Sequence, residues 1–153
     1  MTNELPENGA PGPAPAGRRP CGLLRRFAIM VYDAVAVLAL LLLATALVML
    51  AGFRDVTAGR DLLFTAWLAL VWFLYLGLCW RAGGMTVGMR AWRVRIETDA
   101  GERPGWGACL ARFTVSLVSF ASAGLGFWAA LFRRDRRTWH DRASGTRLWR
   151  EGR

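Results

Sequence analysis

The stretch FAIMVYDAVAVLALLLLATALVML, residues 27–50, decides the fold. Its 24 residues include only three polar side chains, Tyr32, Asp33 and Thr45. At about 1.5 Å of rise per residue, a helix of this length extends roughly 36 Å and can cross the hydrocarbon core of a bilayer. A cleaved signal peptide would have a shorter apolar run followed closely by a small-residue cleavage site, and this stretch has neither. It therefore predicts a retained transmembrane helix.

The composition of the whole chain also indicates a membrane protein. Of its 153 residues, 54% are hydrophobic, which is more apolar surface than one small soluble core can bury. A second apolar stretch, residues 62–80, contains no charge and ends with Trp80 followed by Arg81, a pair typical of the headgroup level. These two stretches predict two firm transmembrane helices.

A third apolar element, residues 110–132, is less regular. Arg112 lies near its start, and Gly124 and Gly126 interrupt its middle. The arginine-rich flanks before the first span, after the second and after Phe132 should all be cytoplasmic by the positive-inside rule. A straight third span would carry the last flank across the membrane. The sequence therefore favours an element bent at Gly124 and Gly126, as a re-entrant hairpin or interfacial helix pair, with a straight span as the alternative.

Polar segments flank these apolar stretches. Residues 1–22 are rich in Pro and Gly and predict a disordered cytoplasmic tail. Residues 91–98 alternate apolar and charged side chains, which predicts a short β-like cytoplasmic segment with its basic side towards anionic lipid headgroups. Residues 133–153 form a basic cytoplasmic C-terminal segment. The expectation is an all-α, multi-pass protein of the bacterial inner membrane, with its membrane domain at residues 23–150 and its N-terminus in the cytoplasm.

Three ordered motifs resemble the RDD family of bacterial membrane proteins. They are RFAIMVYD at residues 26–33, GMTVGMR at 84–90 and TWHDRASGT at 138–146. The family is named for one Arg and two Asp, which by position correspond to Arg26, Asp33 and Asp141. Met85 departs from the glutamine that the family often has in its turn. The resemblance implies an inner-membrane protein of mostly unassigned function, with transport, including cation/proton antiport, proposed for some members.

Asp33 is the polar residue with the strongest physical constraint. A carboxylate about six residues inside a span costs on the order of 2.5–3.5 kcal/mol, so it should face protein or water. Arg26, two turns earlier on the same face, and Arg112 are candidate partners. Asp33 is therefore either a protonatable or cation-binding acid, or half of a buried ion pair that pins two helices together.

Asp141 has two interpretations as well. Thr138 and Asp141 match the spacing of a capping box, in which both side chains hold the start of a helix. In the functional alternative, Asp141 lies with His140 and Arg142 at a cytoplasmic mouth below Asp33.

The sequence predicts no enzyme. His140, Asp141 and Ser144 lack the context of a hydrolase triad, because adjacent His and Asp side chains point apart on any regular element. One histidine and three scattered cysteines predict no metal site and no disulfide framework, and no cofactor motif is present. The net charge of +9 is explained by arginines at membrane flanks, so no nucleic-acid partner is expected.

Two functional hypotheses follow. The first is a transport-related protein that uses Asp33 as a membrane-embedded acid. Since two or three helices cannot enclose a pathway, this function requires a homo-oligomer. The second is a non-catalytic accessory or scaffold subunit that binds lipids or other membrane proteins. Its contact surface would be the small-residue face of the third element, formed by Ser119, Ser122, Ala123 and Gly126.

Overall fold

A computed structural model of the chain describes residues 19–53, 55–122 and 138–150. The described part is mostly helical and also contains a small sheet. In chain order its elements are β1 (Arg19–Pro20), α1 (Leu23–Leu50), α2 (Leu62–Ala82), α3 (Val87–Ala91), β2 (Val94–Thr98), α4 (Trp106–Ala121), α5 (Trp139–Ala143) and β3 (Thr146–Arg150).

The two predicted spans are found as the long helices α1 and α2. Both are long and apolar enough to cross a membrane. Most of their large apolar side chains point outward and are exposed, as at Leu38, Leu42 and Leu63. Water would oppose such exposure, whereas lipid tails are as apolar as these side chains. α1 begins four residues before the predicted start of its span, because its first turn is anchored by protein contacts at Arg26.

A three-stranded antiparallel sheet joins the beginning, middle and end of the described chain. Its strand order is β1-β3-β2, with β3 in the centre. Along the longer pairing, Val94 lies opposite Arg150 and Thr98 opposite Thr146. The all-α prediction is therefore incomplete, because β3 forms only where distant segments meet. Strand β1, at Arg19–Pro20, lies inside the stretch 1–22 that was predicted to be a disordered tail.

The predicted β-like segment is shorter than expected. Its apolar alternation is confirmed at Val94 and Ile96, which are fully buried. Ala91 instead ends the short helix α3, and Glu97 is buried while Arg95 is half-buried. The strand therefore lacks the exposed basic side that the sequence predicted to face lipid headgroups.

The compact part of the molecule lies where the sheet meets one end of the helices. Side chains from β2, β3, the four helices α1 to α4 and the segment before α1 share this core: Cys21, Ile29, Trp80, Met89, Val94, Ile96, Cys109 and Leu148. The start of α1, the end of α2 and the last strand therefore lie together. We call this part the sheet end of the molecule.

The third apolar element begins earlier than predicted. α4 starts at Trp106, and its described part ends with Ala121 and Ser122. The predicted bend at Gly124 and Gly126 lies outside the described residues. At Thr138 the chain is again at the sheet end, because α5 binds Arg112 near the start of α4 and β3 pairs with β2.

Candidate functional site

A buried cluster of three charges stands at the sheet end. Asp141 on α5 accepts hydrogen bonds from Arg26 at its Oδ2 and from Arg112 Nη1 at its Oδ1, the latter at 2.6 Å. At most 6% of each of the three residues is exposed. Two of the three residues that name the RDD family thus meet although they lie 115 positions apart.

Neighbouring polar groups complete this cluster. Arg26 Nε donates to the carbonyl of Cys21 at 3.3 Å, and Arg112 Nη1 donates to Thr146 Oγ1 at 2.9 Å. The Arg112 guanidinium also lies over the Trp80 ring, 5.5 Å from its centre. Because a buried charge is costly unless it is paired and hydrogen-bonded, these contacts hold α1, α4, α5 and β3 in one arrangement.

The predicted capping box is formed at the start of α5. The Thr138 N–H donates to Asp141 Oδ2 at 3.4 Å. Asp141 therefore caps the helix and binds both arginines. Burial alone would raise the pKa of Asp141, but the charges of Arg112 and Arg26 outweigh burial and hold that pKa well below its usual range. The carboxylate is ionised at neutral pH.

His140 lies against the same cluster. Its Nε2 is 2.9 Å from Thr138 Oγ1 and 3.9 Å from Asp141 Oδ1. Burial, followed by the charge of Arg112, lowers the pKa of His140 to about 3. His140 is therefore a neutral imidazole at pH 7, and it does not gain a second ring proton near neutral pH. Arg142 next to Asp141 is exposed.

Asp33 has different partners. It lies ten residues into α1, roughly 15 Å from the helix start, and is half-buried. Its Oδ2 accepts the Thr86 hydroxyl at 2.5 Å, and its Oδ1 accepts the Gly88 N–H at 2.8 Å. Contrary to the sequence prediction, neither Arg26 nor Arg112 pairs with Asp33, because Asp141 binds both.

The turn between α2 and α3 is shaped to bring these donors to Asp33. A Cβ added at Gly88 would lie 2.5 Å from the Ile29 carbonyl oxygen and 3.0 Å from Asp33 Oδ1, so only glycine allows this approach. Thr86 donates its hydroxyl to Asp33 while its Oγ1 accepts the Met89 N–H at 3.2 Å, which caps α3. The motif at residues 84–90 is therefore a docking turn for the carboxylate.

The same turn is linked to the sheet. Gly84 has a positive φ of 65°, and its carbonyl accepts the Ile96 N–H of β2 at 2.8 Å. Met85, where the family often has glutamine, packs its partly buried side chain on the core. One short segment thus connects Asp33 on α1 to the strand that pairs with β3.

The electrostatic surroundings of Asp33 are the feature that sequence reasoning missed. Within the ranges that the structure describes, no Arg lies within ion-pair distance of its carboxylate. Tyr75 and Cys79 of α2 interact electrostatically both with Asp33 and with Arg90 of α3. The Gly-x-Thr-x-Gly spacing of Gly84, Thr86 and Gly88 was the available signal, since it supplies a hydroxyl and an accessible backbone N–H.

The predicted packing face of the third element is only partly described. Ser119 is buried within the chain, and Ser122 is half-buried with its hydroxyl donating to the Val118 carbonyl at 2.9 Å. Ala123 and Gly126 lie outside the described residues. Among the residues that are described, no group of three or more His, Cys, Asp or Glu is placed to hold a metal ion.

Comparison with known protein families identifies the family to which the chain is similar. The model of the RDD family matches residues 20–145, which is most of the chain and includes both carboxylate sites. No curated protein and no solved structure matches significantly.

Proposed function

The chain belongs to the RDD family, and from that premise we propose that it is a transport protein of the bacterial inner membrane in which Asp33 exchanges a proton or cation. The observation that carries this proposal is the set of partners around Asp33. A carboxylate held between two arginines stays ionised and has no room for another cation, whereas one held by a hydroxyl and a backbone N–H has no ion-pair partner to displace. Such a carboxylate within an apolar helix is the group that a proton or a small cation would neutralise.

The position of Asp33 supports the same function. Asp33 faces the turn and α2 rather than the exposed apolar surface of α1, so its charge is directed into the protein. The turn brings backbone amide groups alongside an apolar helix, where they need internal partners. Release of Asp33 from Thr86 and Gly88 would open a polar path beside α1.

We infer that transport requires a homo-oligomer. In the described part of the chain, two helices are long and apolar enough to span a membrane. Two helices with α4 beside them cannot surround a pathway, so a second copy must supply the other wall. The mass of the complex isolated in mild detergent tests this requirement, and a monomer that still transports would contradict it.

We also propose an orientation. The sheet brings the arginine-rich segments around α1, β2 and β3 to one end of the molecule. The positive-inside rule then assigns the sheet end and the N-terminus to the cytoplasm. The assignment is tested by introducing a cysteine at either end of α1 and measuring its labelling by a membrane-impermeant reagent in intact cells.

The transport proposal is tested in proteoliposomes that enclose a pH-sensitive dye. The wild-type protein should dissipate an imposed pH gradient when sodium or potassium is added outside. Asp33→Asn should reduce this flux to the level of empty liposomes, while its circular dichroism spectrum remains unchanged. Asp55→Asn is the matched control, because it removes the same charge from the exposed loop between α1 and α2. Wild-type flux in the folded Asp33→Asn variant would contradict the proposal.

The alternative is a non-catalytic accessory or scaffold subunit. Burial of Ser119 leaves less of the small-residue face available to a partner. Co-isolation with other membrane proteins in a fixed ratio, together with absent flux in the wild type, would favour this alternative.

A further inference from the structure

We propose that the junction of α2 and α4 binds the headgroup of an anionic phospholipid through Arg81, Arg103 and Trp106. This surface is separate from Asp33 and does not depend on transport. We call it the lipid junction.

The two cations of the lipid junction are held in place at the end of α2. The Arg81 guanidinium lies over the Trp106 ring, 5.2 Å from its centre. Arg103 Nη1 donates to the Ala82 carbonyl at 2.7 Å, and this carbonyl belongs to the last residue of α2. Both arginines therefore make contacts at the end of α2, and these contacts leave further N–H donors available.

Trp106 is anchored as well. A Cβ added at Gly77 would lie 2.8 Å from the indole ring, so the glycine makes room for close packing of Trp106 on α2. The ring also lies beside Phe73, with 6.0 Å between centroids. Even so, 41% of Trp106 is exposed. A half-exposed, anchored indole beside arginine is typical of the headgroup level of a membrane protein.

The lipid junction lies at the boundary between the apolar surface of α2 and the arginines that follow it. Arg81 follows nineteen uncharged residues of α2, 62–80. Leu78 next to Gly77 and Leu110 one turn after Trp106 are 53% and 54% exposed. An acyl chain can lie along these leucines while its phosphate contacts the two guanidinium groups.

No internal anion competes for these arginines in the part of the chain that the structure describes. The ion pairs found there involve Arg26, Arg112, His140 and Arg147. The first turn of α4 also contains no acidic side chain. Asp141 binds Arg26 and Arg112. Arg81 and Arg103, by contrast, remain available to bind an external phosphate. Charge complementarity therefore favours an anionic lipid over a zwitterionic one.

The test uses native mass spectrometry of the full chain, purified in mild detergent and mixed with equal amounts of phosphatidylglycerol and phosphatidylcholine. The wild type should retain phosphatidylglycerol preferentially. Arg81→Gln with Arg103→Gln should abolish that preference. Arg60→Gln with Arg142→Gln is the matched control, because it removes the same charge from two exposed positions elsewhere and should preserve the preference.

Three results would overturn the proposal. One is an unchanged preference in the folded double variant, and another is an equal loss in the control. The third is displacement of phosphatidylglycerol by inorganic phosphate at similar concentration, which would assign the site to a soluble anion. If the double variant does not fold, Arg81→Gln alone is measured, since it leaves the Arg103 bond intact. It should reduce the preference, and an unchanged preference would contradict the proposal.

Discussion

Asp33 and Asp141 are two carboxylates of one small protein, and they differ in what surrounds them. Asp141 is fully buried between two arginines, at the point where α1, α4 and α5 meet. Asp33 is half-buried and accepts hydrogen bonds from a threonine hydroxyl and a glycine N–H. This difference is the basis for our proposal that Asp33 and Asp141 have separate roles. Arg26 and Asp141 join α1 to α5 at the sheet end, whereas no ion pair of the described residues includes Asp33.

The two carboxylate regions are nevertheless connected. The turn that binds Asp33 is hydrogen-bonded to β2 through Gly84 and Ile96, and β2 pairs with β3 next to the Asp141 cluster. The sheet end is thus hydrogen-bonded to the turn, while Arg26 and Arg112 of the sheet end bind Asp141. We expect substitutions at the Asp141 cluster to affect stability, and substitutions at Asp33 to affect transport.

The largest expected effect is that of Asp141→Asn. Removing this charge leaves Arg26 and Arg112 buried without a counter-ion, which should lower the free energy of unfolding by about 3–5 kcal/mol. Denaturant unfolding in detergent, followed by circular dichroism, measures this loss. Asp55→Asn should leave the stability unchanged. Equal stability of the Asp141→Asn variant and the wild type would show that the cluster does not hold the fold.

Acid should destabilise the same region. His140 is the only histidine, and its folded pKa of about 3 lies below the ordinary value of 6.5. Below pH 6.5 the unfolded chain therefore binds a proton that the folded chain does not, and stability should fall by at most about 1.4 kcal/mol per pH unit. The stability that Asp141 contributes is lost only at lower pH, below its unfolded pKa.

The contribution of His140 is isolated by substitution. His140→Gln should flatten the decrease in unfolding free energy between pH 6.5 and 5, measured by denaturant titration at each pH. The same slope in variant and wild type would show that His140 is not held neutral.

An intermediate effect is expected where the turn touches α1. In Gly88→Ala, the new methyl group meets the Ile29 carbonyl, so the turn must shift at a cost of about 1–3 kcal/mol. Gly107→Ala is the control, since its Cβ would meet nothing within 4 Å and alanine favours a helix. Thermal unfolding in detergent compares the two variants. A Gly88→Ala variant as stable as Gly107→Ala would contradict the close contact.

The smallest effect on stability is expected for Asp33→Asn. The asparagine oxygen still accepts the Gly88 N–H, so the loss should stay below about 1 kcal/mol, whereas Asp33→Ala leaves the buried donors without an acceptor and should lose about 1–3 kcal/mol. Denaturant unfolding of both variants in detergent measures this difference. A large destabilisation by Asp33→Asn would show that Asp33, like Asp141, has a structural role.

The sequence predicted the long helices well because uninterrupted apolar runs have few alternatives. The spans expected at residues 27–50 and 62–80 appear as Leu23–Leu50 and Leu62–Ala82. Val94 and Ile96 were also placed correctly, since alternation within one strand is a local signal. The sheet was not predicted, because β3 joins β1 and β2 only through long-range pairing.

The partners of Asp33 were beyond local reasoning for a similar reason. Spacing placed Arg26 on the same helical face, and that inference is sound for an isolated helix. Asp141, 115 positions later, binds Arg26 instead. The capping box at Thr138 was predicted correctly because it depends on four consecutive residues, whereas the second role of Asp141 depends on the whole fold.

Infrared difference spectroscopy on the full chain in membranes distinguishes an exchanging carboxylate at Asp33 from a permanently ionised one, with Asp33→Asn as the reference. We expect a carboxyl band that appears and disappears reversibly as the pH is cycled, is absent from Asp33→Asn, and occurs while the protein stays folded. Asp141 should remain ionised throughout. A folded protein in which Asp33 stays as permanently ionised as Asp141 would contradict the division between a structural and an exchanging carboxylate.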